Sequence, residues 1–281
     1  MYDPGVVLRD VAVMLADGGD GVADLAVLRD QPQLFGRVPP DETAWRWLDR
    51  VASDDFGVDA MRAARALARE RVCERAGLPL VDGLLISDFD ATFTTAHSDK
   101  EQAAGTYKGS YGFYPLLSYL DRGDGTGEPL AGVLGPGNAG SNTVLDHQDV
   151  LALTLDQLPV TPQQVPMLVR TDSAGASHGF VAALRDEGIM FSVGFPIDVG
   201  VREAVEALPA TAWVGARTQH DERREGAAVA ELHTLDLTVD GWPDGTRAIV
   251  RREPLHPGAQ QSFLDAPRAS HHLLCHRPTR R

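Results

Sequence analysis

The sequence predicts an α/β fold on a mixed sheet, with a helical unit ahead of it and a β-rich stretch behind it. Three observations carry that expectation. Apolar residues recur at spacings of three and four from Val6 to Leu78, the period of helices that bury one face. Beyond "LPLVDG" the pattern becomes extended, beginning with "LLISDFDATFTT" at residues 84–95, whose apolar and β-branched content suits a central strand. From there, strand-like and helix-like segments follow in the order β-β-β-α-β-α-β. Strands joined by a tight turn run antiparallel and strands joined through a helix run parallel, so this sheet must be mixed.

The helical unit, residues 1–80, contains "VVLRDVAVML", "ADLAVLRD", "TAWRWLDRVA" and "DAMRAARALARERV". Asp41 stands where an N-cap is expected, and Gly77 followed by Pro79 ends the last helix. Arg62, Arg65, Arg69 and Arg71 make that helix locally basic; a solvated face is the ordinary reading, and a DNA-facing surface is the alternative.

The core, residues 81–228, continues with strands in "YGFYPLLSYLD" and "EPLAGVLGPG", joined by the hairpin turn "RGDGTG". A helix in "NTVLDHQDVLALTLDQL" leads to a strand in "VPMLVRTD" that ends on Asp172. A helix in "SHGFVAALRDEG" and a strand in "IMFSVGFPI" follow. The glycine-rich "GPGNAGSNT" at 135–143 lacks the lysine and glycine spacing of a nucleotide cradle and reads as a flexible connection. After a short helix in "VREAVEAL", residues 229–264 read as short antiparallel strands in "VAELHTLDL", "WPDGTRAIVRRE" and "QQSFLDA". Residues 265–281 lack usable periodicity and read as an irregular tail.

Composition narrows the classes. The chain has 281 residues, of which 43% are apolar, enough for a buried core. Two cysteines, Cys73 and Cys275, do not make a disulfide framework. No apolar run nears the ~20 residues that span a bilayer, and "MYDPGVVLRD" has no signal-peptide pattern, so a cytoplasmic protein is expected. A net charge of −14 argues against the chain alone as a strong nonspecific nucleic-acid binder. His271, His272, Cys275 and His276 have no second cluster to complete a metal site.

The chemistry lies in the acids that end two strands, Asp88 and Asp90 on one and Asp172 on a later one. Residues two apart share a strand face, so Asp88 and Asp90 point the same way. If the strands are neighbours, Asp90 and Asp172 converge within the ~4 Å that oxygen-bound Mg²⁺ demands. Converging carboxylates repel, and a divalent cation is the natural compensation. The plain alternative is that these acids cap turns or helices, with Ser173 or Ser177 starting the helix after Asp172.

Two enzyme readings compete for "DFDAT". In a haloacid-dehalogenase-like phosphatase, Asp88 would be the nucleophile and Asp90 the general acid. That fold needs a late lysine, and the only lysines are Lys100 and Lys108. In a polynucleotidyl transferase with an RNase H-like core, the first acid lies on the first strand, a hairpin meander follows, and the second acid ends the fourth strand.

The stretch from "DFDATFTTAHSDKEQAAGTYKGSYGF" to "GPGNAGSNT", followed by "LVRTDSAGASHGFVAALRDEGIMFSVGF", resembles the catalytic core of bacterial insertion-sequence DDE transposases of the insertion sequence 1380 family, in the insertion sequence 4 superfamily. "LADGGDGVADLAVLRDQPQLFGRVPPDETAWRWLDR" and "GWPDGTRAIVRREPLHPGAQ" extend the likeness over residues 1 to 262. The resemblance implies an RNase H-like fold, cleavage and joining of transposon DNA, and a two-Mg²⁺ site held by Asp, Asp and Glu. Asp90 takes the first acid position, with Asp88 as the other candidate, and Asp172 takes the second. Residues 229–264 fall in the β-rich insertion that helps organise the DNA end. The implied partners are terminal inverted repeats and target DNA, with a homo-oligomer as a further association and no membrane.

The family's catalytic glutamate lies on a helix within an R-x-x-E-x-x-I-x-x-x-K type segment, and no such segment occurs here. Glu253 is the last glutamate and lies among the inserted strands. The expectation is therefore a truncated or frameshifted transposase, inactive alone, with a non-catalytic inhibitor of transposition as the alternative.

Overall fold

The computed structural model describes residues 2–54, 56–106, 109–139, 143–195, 197–218, 221–233 and 241–253, and the backbone of 269–276. Lys108, residues 140–142 of the glycine-rich connection, and the expected strand in "QQSFLDA" lie outside them, as do the side chains of His271, His272, Cys275 and His276. The chain divides into two compact units, Met1–Ala68 and Arg69–Arg281.

The first unit contains α1 (Pro4–Ala16), α2 (Leu25–Arg29), α3 (Pro32–Phe35), α4 (Asp41–Ser53) and the start of α5 (Gly57–Ala76). Asp3 caps α1 by accepting the Val6 amide at 3.1 Å, and proline follows at the first helical position. Val7, Met14, Leu25, Leu28, Val38 and Ala44 form its buried core. Asp41 differs from expectation. It is the first residue of α4, the cap position is Pro40, and the Asp41 carboxylate accepts from Arg29 at 2.7 Å. Gly77 ends α5 as expected, at φ 82° with its amide donated to Cys73 O at 2.8 Å.

The second unit is built on a nine-stranded sheet. Its strands are β1 (Leu85–Ala91), β5 (Leu116–Asp121), β6 (Gly127–Val133), β7 (Met167–Thr171), β8 (Met190–Gly194), β9 (Val214–Arg217), β10 (Arg223–Glu231), β11 (Arg247–Glu253) and β12 (Ala269–His276), in the order β6-β5-β1-β7-β8-β12-β11-β10-β9. β5 and β6 are antiparallel to their neighbours, whereas β1, β7 and β8 run parallel. The expected mixed α/β sheet is therefore present. Helices α6 (Val144–Leu155), α7 (His178–Asp186) and α8 (Val199–Glu206) complete the unit. Phe89 from β1 meets Phe180 from α7 with ring centroids 5.7 Å apart, and Ser118 from β5 bonds Thr154 of α6. Phe89 and Ser118 are paired across β1 and β5, so α6 and α7 cover the face that bears Phe89. Asp88 and Asp90 belong to the opposite face by strand alternation.

Three expectations change. "YGFYPLLSYLD" is two strands: β4 (Tyr111–Phe113) joins β2 (Thr94–Thr95) and β3 (Ala104–Gly105) in a small side sheet, ordered β2-β4-β3, and β5 starts after Pro115. The glycine-rich connection is packed rather than loose at its start. A Cβ on Gly137 would lie 2.3 Å from the carbonyl oxygens of both Ala104 and Gly112, so only glycine permits that approach. Residues 269–276 of the expected irregular tail form β12, which pairs with β8 on one side and β11 on the other.

The expected boundary between 228 and 229 does not separate two cores either. Ala230, Leu232, Trp242, Ala248 and Val250 share one buried cluster with Phe89 and Phe180. Arg69, considered above for a DNA-facing helix surface, is buried. Its guanidinium bonds Glu128 at 2.6 Å and Gln157 O at 3.0 Å. Among the described residues, no helix is long and apolar enough to cross a membrane.

Candidate active site

The carboxyl ends of β1 and β7 position the acids singled out from sequence. The two strands pair in parallel from Leu85↔Met167 through Asp88↔Arg170 to Phe89↔Thr171. The pairing ends there, one residue before Asp90 on β1 and one residue before Asp172 on β7. Asp90 is exposed on the last turn of the pleat before Ala91. Its carboxylate has no hydrogen bond or ion pair among the described residues.

Asp172 leaves β7 and caps the 3-10 turn Ser173–Gly175, accepting the Ala174 amide on Oδ1 at 2.9 Å. The helix that follows starts from Ser177, whose hydroxyl accepts the Phe180 amide at 3.3 Å. Capping and ligation are compatible here, because a carboxylate has a second oxygen to offer.

Asp88 lies on the same face but is committed elsewhere. Arg170 donates Nε to Asp88 Oδ1 at 2.5 Å and Nη2 to Asp88 Oδ2 at 2.6 Å, and reaches Asp121 Oδ2 at 2.7 Å. The Asp88 hydrogen bond is the main reason the Arg170 pKa lies above its ordinary value, with burial opposing it. Both oxygens of Asp88 are thus engaged, which disfavours it as a phosphate nucleophile.

Two residues outside the sequence motifs shape this edge. Gly194, at the end of β8, leaves room for the chain turning out of β7, where a Cβ would come 2.8 Å from Ser173 N. Trp242, buried, meets His178 edge-on at 4.6 Å and Phe195 at 5.7 Å, covering the start of α7. A glycine closing an apolar strand was the available signal for the first; a lone tryptophan after "DG" offered none.

The third acid does not join them. Glu253, at the end of β11, is held by Arg224 at 2.9 Å and Arg251 at 3.4 Å. Three strand spacings separate β11 from β7, roughly 14 Å. Among the described residues, no group of three His, Cys, Asp or Glu side chains could hold a metal ion. Asp90 and Asp172 are hard oxygen donors of the kind Mg²⁺ takes, and they supply two positions of a site that needs more.

Acids at the ends of adjacent parallel strands of a mixed α/β sheet are compatible with metal-assisted phosphoryl transfer. The chain matches the family model described as Transposase DDE domain group 1 over residues 1–272 and belongs to that transposase family. No curated protein matches its sequence. Among solved structures it is similar to a piggyBac transposase synaptic complex with hairpin DNA, at 10% identity and TM-score 0.34, covering 68% of this chain and 32% of that one. It is also similar to a pre-cleavage Mos1 transpososome, at 11% identity and TM-score 0.24, covering 72% of this chain and 61% of that one. The chain thus spans about a third of the first structure's chain and about three fifths of the second's.

Proposed function

We propose that this chain carries the RNase H-like DDE core of an insertion-sequence transposase of the insertion sequence 1380 type, acting on transposon-end DNA. Asp90 and Asp172 are two ligands of its Mg²⁺ site. The observation that supports this most is the parallel β1–β7 pairing, which runs to Phe89↔Thr171, one residue short of Asp90 on one strand and of Asp172 on the other. A divalent metal held by Asp90 and Asp172 would supply Lewis-acid activation of an attacking oxygen and charge stabilisation of the leaving one.

The side chains divide the remaining work. Asp90 is exposed and uncommitted, so it offers both oxygens. Asp172 offers Oδ2 while Oδ1 holds the turn that fixes its position. Glu253 is paired with Arg224 and Arg251, so two carboxylates are open among the described residues where the family uses three. Metal affinity and turnover are correspondingly weak, and binding to DNA ends without cleavage is the second reading.

The test is a Mg²⁺- or Mn²⁺-dependent nicking and strand-transfer assay on DNA carrying the element's terminal inverted repeats, run beside a gel shift on the same DNA. Binding with little or no cleavage is expected. Robust cleavage abolished by Asp90→Ala would overturn the low-turnover reading while keeping the site. Robust cleavage that survives both Asp90→Ala and Asp172→Ala would remove the site assignment.

A further inference from the structure

Arg170 stands two residues before Asp172, level with Asp88 on β1, and on the same sheet face as Asp90 by strand alternation. Its guanidinium reaches in the other direction. It bonds both oxygens of Asp88 and one oxygen of Asp121. Asp121 follows Leu120, which pairs with Ser87, so the Asp121 position is level with Ile86, away from Asp90. One cation therefore ties β5, β1 and β7 together while leaning back from the edge where the acids converge.

That lean matters because the same side chain could turn forward. The next positions on that face, Asp90 and Asp172, lie two residues along, roughly 7 Å, within reach of an extended arginine. A guanidinium takes a carboxylate in two parallel hydrogen bonds, the same oxygens a divalent cation needs. Arginine on the acid pair and metal on the acid pair are mutually exclusive. Asp88 and Asp121 decide between them, since a guanidinium that already makes three charge-assisted hydrogen bonds gains little by moving. An arginine guanidinium stays charged throughout the working pH range, so the competitor is always a cation.

We propose that Asp88 and Asp121 hold Arg170 off the Asp90–Asp172 pair and so keep that pair open to a divalent cation. This rests on the reading of Asp90 and Asp172 as metal ligands. It gives the first aspartate of "DFD" a role distinct from ligation: Asp88 is a positioning residue that binds the competitor, and Asp90 binds the metal.

The experiment is Mn²⁺ binding to the full chain, followed by the electron-spin-resonance signal of free Mn²⁺, with circular dichroism to confirm folding. Asp90→Asn with Asp172→Asn should abolish the site; unchanged binding there would overturn the ligand reading itself, and this inference with it. Given wild-type binding that needs those acids, Asp88→Asn with Asp121→Asn should weaken Mn²⁺ affinity by about tenfold or more, as a cation moves into the site. Adding Arg170→Met to that double variant should restore affinity to within about twofold of wild type. A triple variant no better than the double would show that the aspartates only brace the strands, and would overturn the proposal. Arg170→Met alone provides a second arm that keeps all four acids: binding at least as tight as wild type is expected, and a loss of binding would overturn the proposal.

Discussion

Gly194 lies against the backbone of Asp172. A Cβ on Gly194 would come 2.8 Å from Ser173 N and 3.0 Å from Asp172 C, and backbone cannot yield as a flexible side chain does. Gly194→Ala should therefore push the β7 exit away from β8, costing about 1–3 kcal/mol in urea denaturation and weakening Mn²⁺ binding. Gly200→Ala is the control. Its Cβ would meet only Asp198 Oδ1 at 3.5 Å, and stability should stay within about 0.5 kcal/mol of wild type. Equal effects from the two substitutions would show that Gly194 has no special part in placing Asp172.

Arg69 is 7% exposed and bonds Glu128, the Gln157 carbonyl and amide oxygens, and Pro129 O. Arg69→Met leaves those acceptors facing an apolar chain. The expected loss is about 3 kcal/mol, at the low end for a broken buried pair because Glu128 keeps partial access to water. Chemical denaturation measures it, and a cost below that of an ordinary surface substitution would contradict the burial argument.

Glu231 receives two hydrogen bonds from Arg247, at 2.7 and 2.5 Å. These hold its carboxyl below the ordinary glutamate value of 4.5. A depressed carboxylate adds stability above that value and loses it as pH falls through the folded-state pKa. Wild type should exceed Glu231→Gln in melting temperature at neutral pH, and the gap should close as pH falls below the ordinary glutamate value of 4.5. Both partners are partly exposed, so the gap corresponds to less than about 1 kcal/mol.

Burial pushes the Cys73 thiol above its ordinary value of 9.0, and the nearby Glu128 carboxylate adds to the shift. Thiolate is the reactive form. In a Cys275→Ser background, alkylation of Cys73 by iodoacetamide should therefore be slower at pH 8 than for a free cysteine, with its pH–rate midpoint displaced upward. Glu128→Gln should lower that midpoint. A midpoint at or below that of free cysteine would contradict the stated environment.

The strands that carry the acids were legible because their signals are local. "LLISDFDA" and "MLVRTD" are apolar runs closed by carboxylates, and the hairpin turn "RGDGTG" announces itself through Gly123 and Gly125, both at positive φ. The engagement of both Asp88 oxygens was not legible. It depends on Arg170, 82 residues away, and no spacing rule links a carboxylate to a guanidinium on another strand. The break within "YGFYPLLSYLD" had a visible cause in Pro115, which cannot donate to a ladder. β12 was missed for a different reason. "ASHHLLCH" has weak alternation, and its strand character comes from two neighbours, β8 and β11, that are distant in sequence.

β12 also sets the order in which the sheet can close. The other eight strands of the sheet all precede it in the chain, yet it lies between β8 and β11. While the chain is being made, the β6-β5-β1-β7-β8 half and the β11-β10-β9 half each end on a row of unpaired backbone amides and carbonyls. One of those edges is β8, with Met190, Phe191 and Val193 buried in the finished protein, the kind of exposed apolar strand that recruits other chains. A chain lacking residues 269–276 would keep both of those edges open, where the full chain closes them with one strand.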